Sequence, residues 1–216
     1  MKLPQPLALF PLQSVLFPGG RLSLRVFEPR YLDLIKRCAE SGDPFGVVGL
    51  IEGSEVRQRL DDEEGFKTER FHLVGTLAHL CRHEQAQPGL MRVAARGGRR
   101  FKLTRTECLK HGLWTGDAEL FDEDHAIPVP ADLQPLAALL QGLLNRLEQD
   151  GAADEMPIKP PYAWDDCGWL ANRWGELLPL QPLERQQLME MDNPLLRLEL
   201  VADQLQRLGI GPAKRT

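Results

Sequence analysis

The hydrophobic period of this chain changes at Pro128-Val129-Pro130. Before that point apolar residues come in short runs broken by turn signals. After it they recur every three or four positions. A period of two builds strands and a period near 3.6 builds helices. The chain is therefore expected to be an α+β protein, with strands in residues 1–126 and helices in residues 127–216.

Leu7-Ala8-Leu9-Phe10 stops at Pro11, and Val15-Leu16-Phe17 stops at Pro18-Gly19-Gly20. Arg21 to Phe27 alternates polar and apolar, as a half-buried strand does. Phe45 to Ile51 is apolar over a strand's length, which suits burial on both faces. Phe71–Cys81, Leu90–Ala95, Arg100–Leu103 and Leu113–Phe121 complete the set, with Gly97-Gly98 as a turn. Short strands at this density point to a barrel or a sandwich. One helix interrupts them. Pro29 suits a first helical position, Tyr31, Leu34, Ile35 and Cys38 follow at helical spacing, and Gly42 offers a stop. Ser54–Glu69, with its acidic run Asp61–Glu64, reads as an exposed hairpin or loop.

Beyond Pro130, Leu133, Leu136, Leu140, Leu143 and Leu147 predict a helix ending at Gly151. Asp165-Asp166 caps a second, carrying Trp169, Leu170, Trp174 and Leu177. Pro182 starts a short turn through Met189. Asn193-Pro194 opens a last helix with Leu198, Val201, Leu205 and Leu208 on one face, ended by Gly209 and Gly211. Four such stripes need to bury against one another, as in a helical bundle.

The formal net charge is -5, a poor balance for a dedicated nucleic-acid binder. No apolar run approaches the ~20 residues that span a bilayer, and Pro11 breaks the one N-terminal segment that would resemble a signal-peptide core. Cys38, Cys81, Cys108 and Cys167 form no CxxC pair and read as reduced thiols. A soluble cytoplasmic protein of bacterial type, with no membrane association, is expected.

Leu9-Phe10-Pro11-Leu12, then Val15-Leu16-Phe17-Pro18-Gly19, then Leu22, Leu24 and Val26, then Phe27-Glu28-Pro29-Arg30-Tyr31, resembles the amino-terminal substrate-recognition domain of Lon proteases. Phe45-Gly46-Val47-Val48, Val74-Gly75-Thr76-Leu77-Ala78, Arg96–Leu103 and Leu188–Leu200 are similar to later elements of that family, in the same order. The resemblance implies a PUA-like β-barrel followed by a helical bundle, and a role in recognising proteins or degradation signals. Full Lon proteases also carry an ATPase and a Ser–Lys peptidase module. Here there is no GxxxxGK[ST] loop to cradle phosphates. Ser14, Ser23, Ser41 and Ser54 lie in no GxSxG elbow or peptidase-like context. A non-catalytic protein-recognition module without cofactor is expected.

Within that frame Phe27, Glu28, Pro29, Arg30 and Tyr31 read as a structural corner: Pro29 sets the helix start, Glu28 and Arg30 pair charges, and Tyr31 packs. Tyr162 and Trp164, between two predicted helices, are candidate partner-binding anchors, because aromatics dominate interface hot spots. The partners would be proteins or unfolded polypeptide segments. Arg92, Arg96, Arg99, Arg100 and Lys102 lead the one basic cluster and carry the alternative reading, an RNA-binding PUA-like module. Phe101 is its lone aromatic, so no base-stacking surface is evident. His79, Cys81 and His83 could share a strand face, but a metal would need a fourth ligand, which His72 or Cys108 could supply only if their strands pair, and no metal site is expected. Asp122-Glu123-Asp124 reads as a solvated linker.

Overall fold

The computed structural model describes residues 3–56, 68–149 and 158–210. They belong to two units, Met1–Glu123 and Asp124–Thr216. The fold is mixed α+β, with a six-stranded sheet and five helices among the described residues. No helix among them is long and apolar enough to cross a membrane. Most of the segment around Asp61–Glu64, and the stops at Gly151 and Gly211, lie outside the described residues.

The first unit runs β1 (Leu7–Leu12), β2 (Arg21–Val26), α1 (Pro29–Ser41), β3 (Phe45–Glu52), β4 (Arg70–Gln87), β5 (Leu90–Cys108) and β6 (Trp114–Leu120). The sheet order is β2-β5-β4-β3-β1-β6, and β5 also pairs with β6. The ladder β5-β4-β3-β1-β6 thus returns to β5, and β2 lies outside this circuit. Its length lets β5 serve both: Met91–Arg96 pairs with β2 and Phe101–Cys108 with β6. The apolar run of β3 pairs in parallel with β1 and is buried from Phe45 to Gly49, whereas Leu50 is half-buried and Ile51, expected to be buried, is exposed at the strand's end.

Three strand expectations are corrected. Pro11 does not end β1. It pairs opposite Val48, and β6 reaches only as far as Leu9, so Pro11 has a strand on one side only. A proline's missing N–H is tolerated at such an edge. Val15-Leu16-Phe17 is not in a strand, although Leu16 and Phe17 are buried. Gly97-Gly98 is no turn but the middle of β5. A Cβ on Gly97 would stand 2.2 Å from the Phe17 carbonyl oxygen. Gly97 is needed because the loop closes on the strand there, with Gly19 N–H donating to Gly97 O at 2.9 Å and Gly97 N–H to Gly20 O at 2.8 Å.

Alternation sends the two sides of β1 into two clusters. Leu7 and Leu9 join Val48, Leu77, Phe101, Leu103 and Ala118. Phe10 and Leu12 meet α1 through Tyr31, Leu34, Ile35 and Cys38. The α1 residues are those its 3.6-residue spacing predicts. Gly42 at φ 74° returns its N–H to Cys38 O and stops the helix.

The second unit carries α2 (Gln134–Gln149), α3 (Cys167–Leu177), α4 (Pro182–Glu190) and α5 (Pro194–Arg207). Asp166 caps α3 by accepting from Trp169 N at 2.6 Å, and Asn193 caps α5 from Leu195 N and Leu196 N. The buried stripe of α2 continues from Leu133, Leu136 and Leu140 to Leu144 rather than to Leu143, which is exposed. Leu208, expected on the buried face of α5, is exposed at its C-cap. Asp124 is not a solvated linker residue. It takes the guanidinium of Arg197, which is fully buried, through Oδ2 at 2.6 Å and Oδ1 at 3.2 Å. Asn172 Oδ1 and the Met191 carbonyl take the remaining N–H groups, so all five donors are used. Burial of an arginine demands this degree of satisfaction.

Candidate functional site

The corner from Phe27 to Tyr31 is built around Arg30. Pro29 takes the first helical position of α1, with Glu28 as N-cap. The Glu28 carboxylate does not cap the helix with its side chain. It accepts from Arg30 Nε at 3.1 Å instead. Arg30 Nη1 donates to Gly112 O at 2.6 Å and Nη2 to Glu69 Oε1 at 3.1 Å. The other Glu69 oxygen accepts from Trp114 Nε1 at 2.7 Å. Tyr31 stacks on Phe10 with centroids 3.9 Å apart and lies under the Arg30 guanidinium. Burial pushes the Tyr31 phenol well up and keeps it neutral, with Arg30 opposing in part. Burial by itself would lower Arg30, but Tyr31, Glu28 and Glu69 outweigh it and hold the charge. Phe27 alone in the motif presents a large apolar side chain to solvent. The arrangement ties a helix start to β4 and β6.

Groups with the makings of chemistry are scattered. Ser41 and Ser54 accept from the backbone N–H two residues on. Among the described residues no serine hydroxyl is hydrogen-bonded to a histidine, lysine or carboxylate. Cys38 is buried and its thiol is pushed up to about 11 by that burial. Cys81 and Cys108 are exposed, and none of the four cysteines is in a disulfide. His79 is half-buried while Cys81 and His83 are exposed, and no cluster fit to hold a metal ion occurs among the described residues.

Tyr162 and Trp164 do come together, with Trp169 as a third member. Ring centroids are 4.9 Å apart for Tyr162–Trp164, 5.0 Å for Trp164–Trp169 and 6.2 Å for Tyr162–Trp169. All three are half-buried. The segment between them is pinned: Asp166 N–H donates to Ala163 O, Cys167 N–H to Ile127 O, and Asp165 Oδ1 accepts from Val129 N. Sequence reasoning placed Trp169 in the core. Its position in the first turn of α3, beside the aromatic loop, was the available signal.

The basic residues separate. Arg100 is buried, with its guanidinium over the Phe121 ring. Arg99 donates to Phe121 O. Lys102 is exposed on the far half of β5, opposite Glu119. Only Arg92 and Arg96 share an open face, and register supplies companions that sequence spacing missed. Across β2, β5 and β4 the rows are Arg25–Arg92–Glu84, Ser23–Ala94–Arg82 and Arg21–Arg96–His79. Cross-strand neighbours point to one face, so this three-by-three patch holds five arginines and one glutamate. All six charged residues are exposed.

A model of the ATP-dependent protease La (LON) substrate-binding domain matches residues 6–207. Among solved structures, the chain is similar to a Lon N-terminal domain protein from Xanthomonas campestris. The two are 30% identical with a TM-score of 0.66, over 95% of this chain and 98% of that one. It is also similar in fold to the N-terminal domain of the Mycobacterium avium complex Lon protease. There identity is 16% and the TM-score 0.60, over 93% and 97% of the two chains. No curated protein matches it. With the match spanning nearly the whole chain, the chain belongs to the family of the Lon substrate-binding domain.

Proposed function

We propose that this protein is a non-catalytic recognition module that binds proteins, in particular unfolded polypeptide segments, in the cytoplasm. The finer architecture of the proposal is a PUA-like β-barrel over residues 1–126 and a helical bundle over 127–216. The observation that carries it is the pinned, half-buried trio of Tyr162, Trp164 and Trp169 in a chain of a substrate-binding family. Aromatic rings held half out of a core offer large apolar area at little further entropic cost. Tyr162 and Trp164 are the anchors. Trp169 positions them.

The test is binding of a reduced, carboxymethylated model protein, followed by fluorescence anisotropy. The Tyr162→Ala, Trp164→Ala double variant should lose about tenfold or more in affinity, as anchor residues do, while its thermal midpoint stays near that of the parent. Absence of binding by the parent, or equal binding by both, overturns the reading. RNA binding is the second reading, favoured by Arg92 and Arg96 on one open face. The dispersal of Arg99, Arg100 and Lys102 counts against it. A gel shift that weakens steeply with salt would support it.

A further inference from the structure

We propose that the outward patch of Arg21, Arg25, Arg82, Arg92 and Arg96 binds acidic, extended polypeptide segments. This deepens the recognition reading above and rests on it, through residues of the first unit rather than the aromatic trio of the second.

Register is the first observation. Arg21 stands opposite Arg96, and Arg25 opposite Arg92. Like charges directly opposite each other across a strand pair are destabilising. Of the five arginines, only Arg82 has an ion-pair partner among the described residues, Glu84 at 3.1 Å. The whole chain carries a net charge of -5, so this face runs against the protein's overall sign.

Protection of a sheet edge is the ordinary reason for surface arginines. It accounts for Arg21 and Arg25, because β2 ends the sheet. It also covers Arg82, since β4 beyond Ala78 pairs only with β5, but it does not account for Arg92 and Arg96, which lie where β5 is paired with β2 on one side and β4 on the other. An edge-to-edge meeting of two copies along β2 would set arginine against arginine, so a second copy does not fit.

An acidic strand does fit. The two arginine rows lie four residues apart along the strands, about 13 Å. Carboxylates on alternate residues of an extended chain repeat about every 7 Å, so every second one meets a row. Ser23 and Ala94 fill the centre of the patch with small side chains and leave room for a backbone. No phenylalanine, tyrosine or tryptophan lies among the nine residues, and the one imidazole, His79, is half-buried, so the patch lacks the aromatic platform that single-stranded nucleic acid uses.

The test uses the full chain and a fluorescein-labelled peptide of alternating Glu and Thr. A Lys–Thr peptide and an RNA oligonucleotide of equal charge serve for comparison, at low and raised salt. The Glu–Thr peptide should bind, weaken with salt, and lose about tenfold in affinity with Arg92→Ser, Arg96→Ser. Arg105→Ser, Lys110→Ser, an equal charge change outside the patch, should alter it by less than about twofold. Circular dichroism confirms that both variants fold. No peptide binding, equal loss in the two variants, or tighter binding of the RNA than of the peptide overturns the proposal. Binding of the carboxymethylated protein is measured on the same samples. If it persists while the acidic peptide fails, only this inference falls.

Discussion

Arg197 and Asp124 stand 73 positions apart in the chain and meet in a bidentate pair at 2.6 and 3.2 Å, with the arginine wholly buried. A buried guanidinium with all five donors used leaves no room for a looser cation. Arg197→Lys is expected to destabilise the second unit by roughly 2–4 kcal/mol, since lysine supplies three donors without the planar fork. Urea unfolding measures it. A midpoint unchanged from the parent would contradict the assignment.

Glu69 divides its two oxygens between Arg30 and Trp114. Glu69→Ala strands both donors and is expected to cost about 3 kcal/mol. Glu69→Gln, which keeps one acceptor, should cost less. Thermal melts of the two variants order them, and the reverse order would show that charge at this position matters less than shape.

Gly97→Ala should destabilise the first unit by about 1–3 kcal/mol, because the new methyl meets the Phe17 carbonyl rather than a side chain that can swing away. Gly142→Ala, where nothing lies within 4 Å, serves as the control and should be neutral or stabilising.

Burial pushes the Glu176 carboxyl up to about 7, against the pull of Arg173 and Arg185. The folded state therefore holds a proton that the unfolded chain has already released between about pH 4.5 and 7. Stability from this group is present below that window and is lost as pH rises through it. Glu176→Gln should flatten the fall, by at most roughly 3 kcal/mol across the window. Denaturation midpoints at pH 5 and pH 8 would reveal it, and parallel profiles for parent and variant would rule it out.

Arg25→Thr removes one member of a like-charged cross-strand pair. It should raise stability by about 0.2–1 kcal/mol at low salt, with the gain shrinking as salt is added. A loss of stability would mean that Arg25 has a favourable contact outweighing the repulsion from Arg92.

Elements whose signals are local were legible in the sequence. Pro29 and Gly42 bracket α1, and Asp166 and Asn193 cap α3 and α5, because each acts within a turn of its own position. Features set by distant partners were not. A glycine pair looks like a turn until Phe17 is seen closing on Gly97. Leu143 and Leu144 are equally apolar, and only the packing of α2 decides between them. Arg100 looks as free as Arg92 until the Phe121 ring is placed beneath it. The arginine patch was invisible because its members come from three strands, and a strand's register is not written in its own residues.

The return of the ladder to β5 has a kinetic consequence. Gln5 Nε2 donates to Ala118 O across 113 positions, and β1 lies beside β6. The unit's first strand must therefore wait for its last before its outer edge is covered. Loop closure over such a span slows folding. A nascent chain halted before Trp114 would hold Leu7 and Leu9 without their final neighbour, so synthesis and folding of this unit are nearly sequential rather than concurrent.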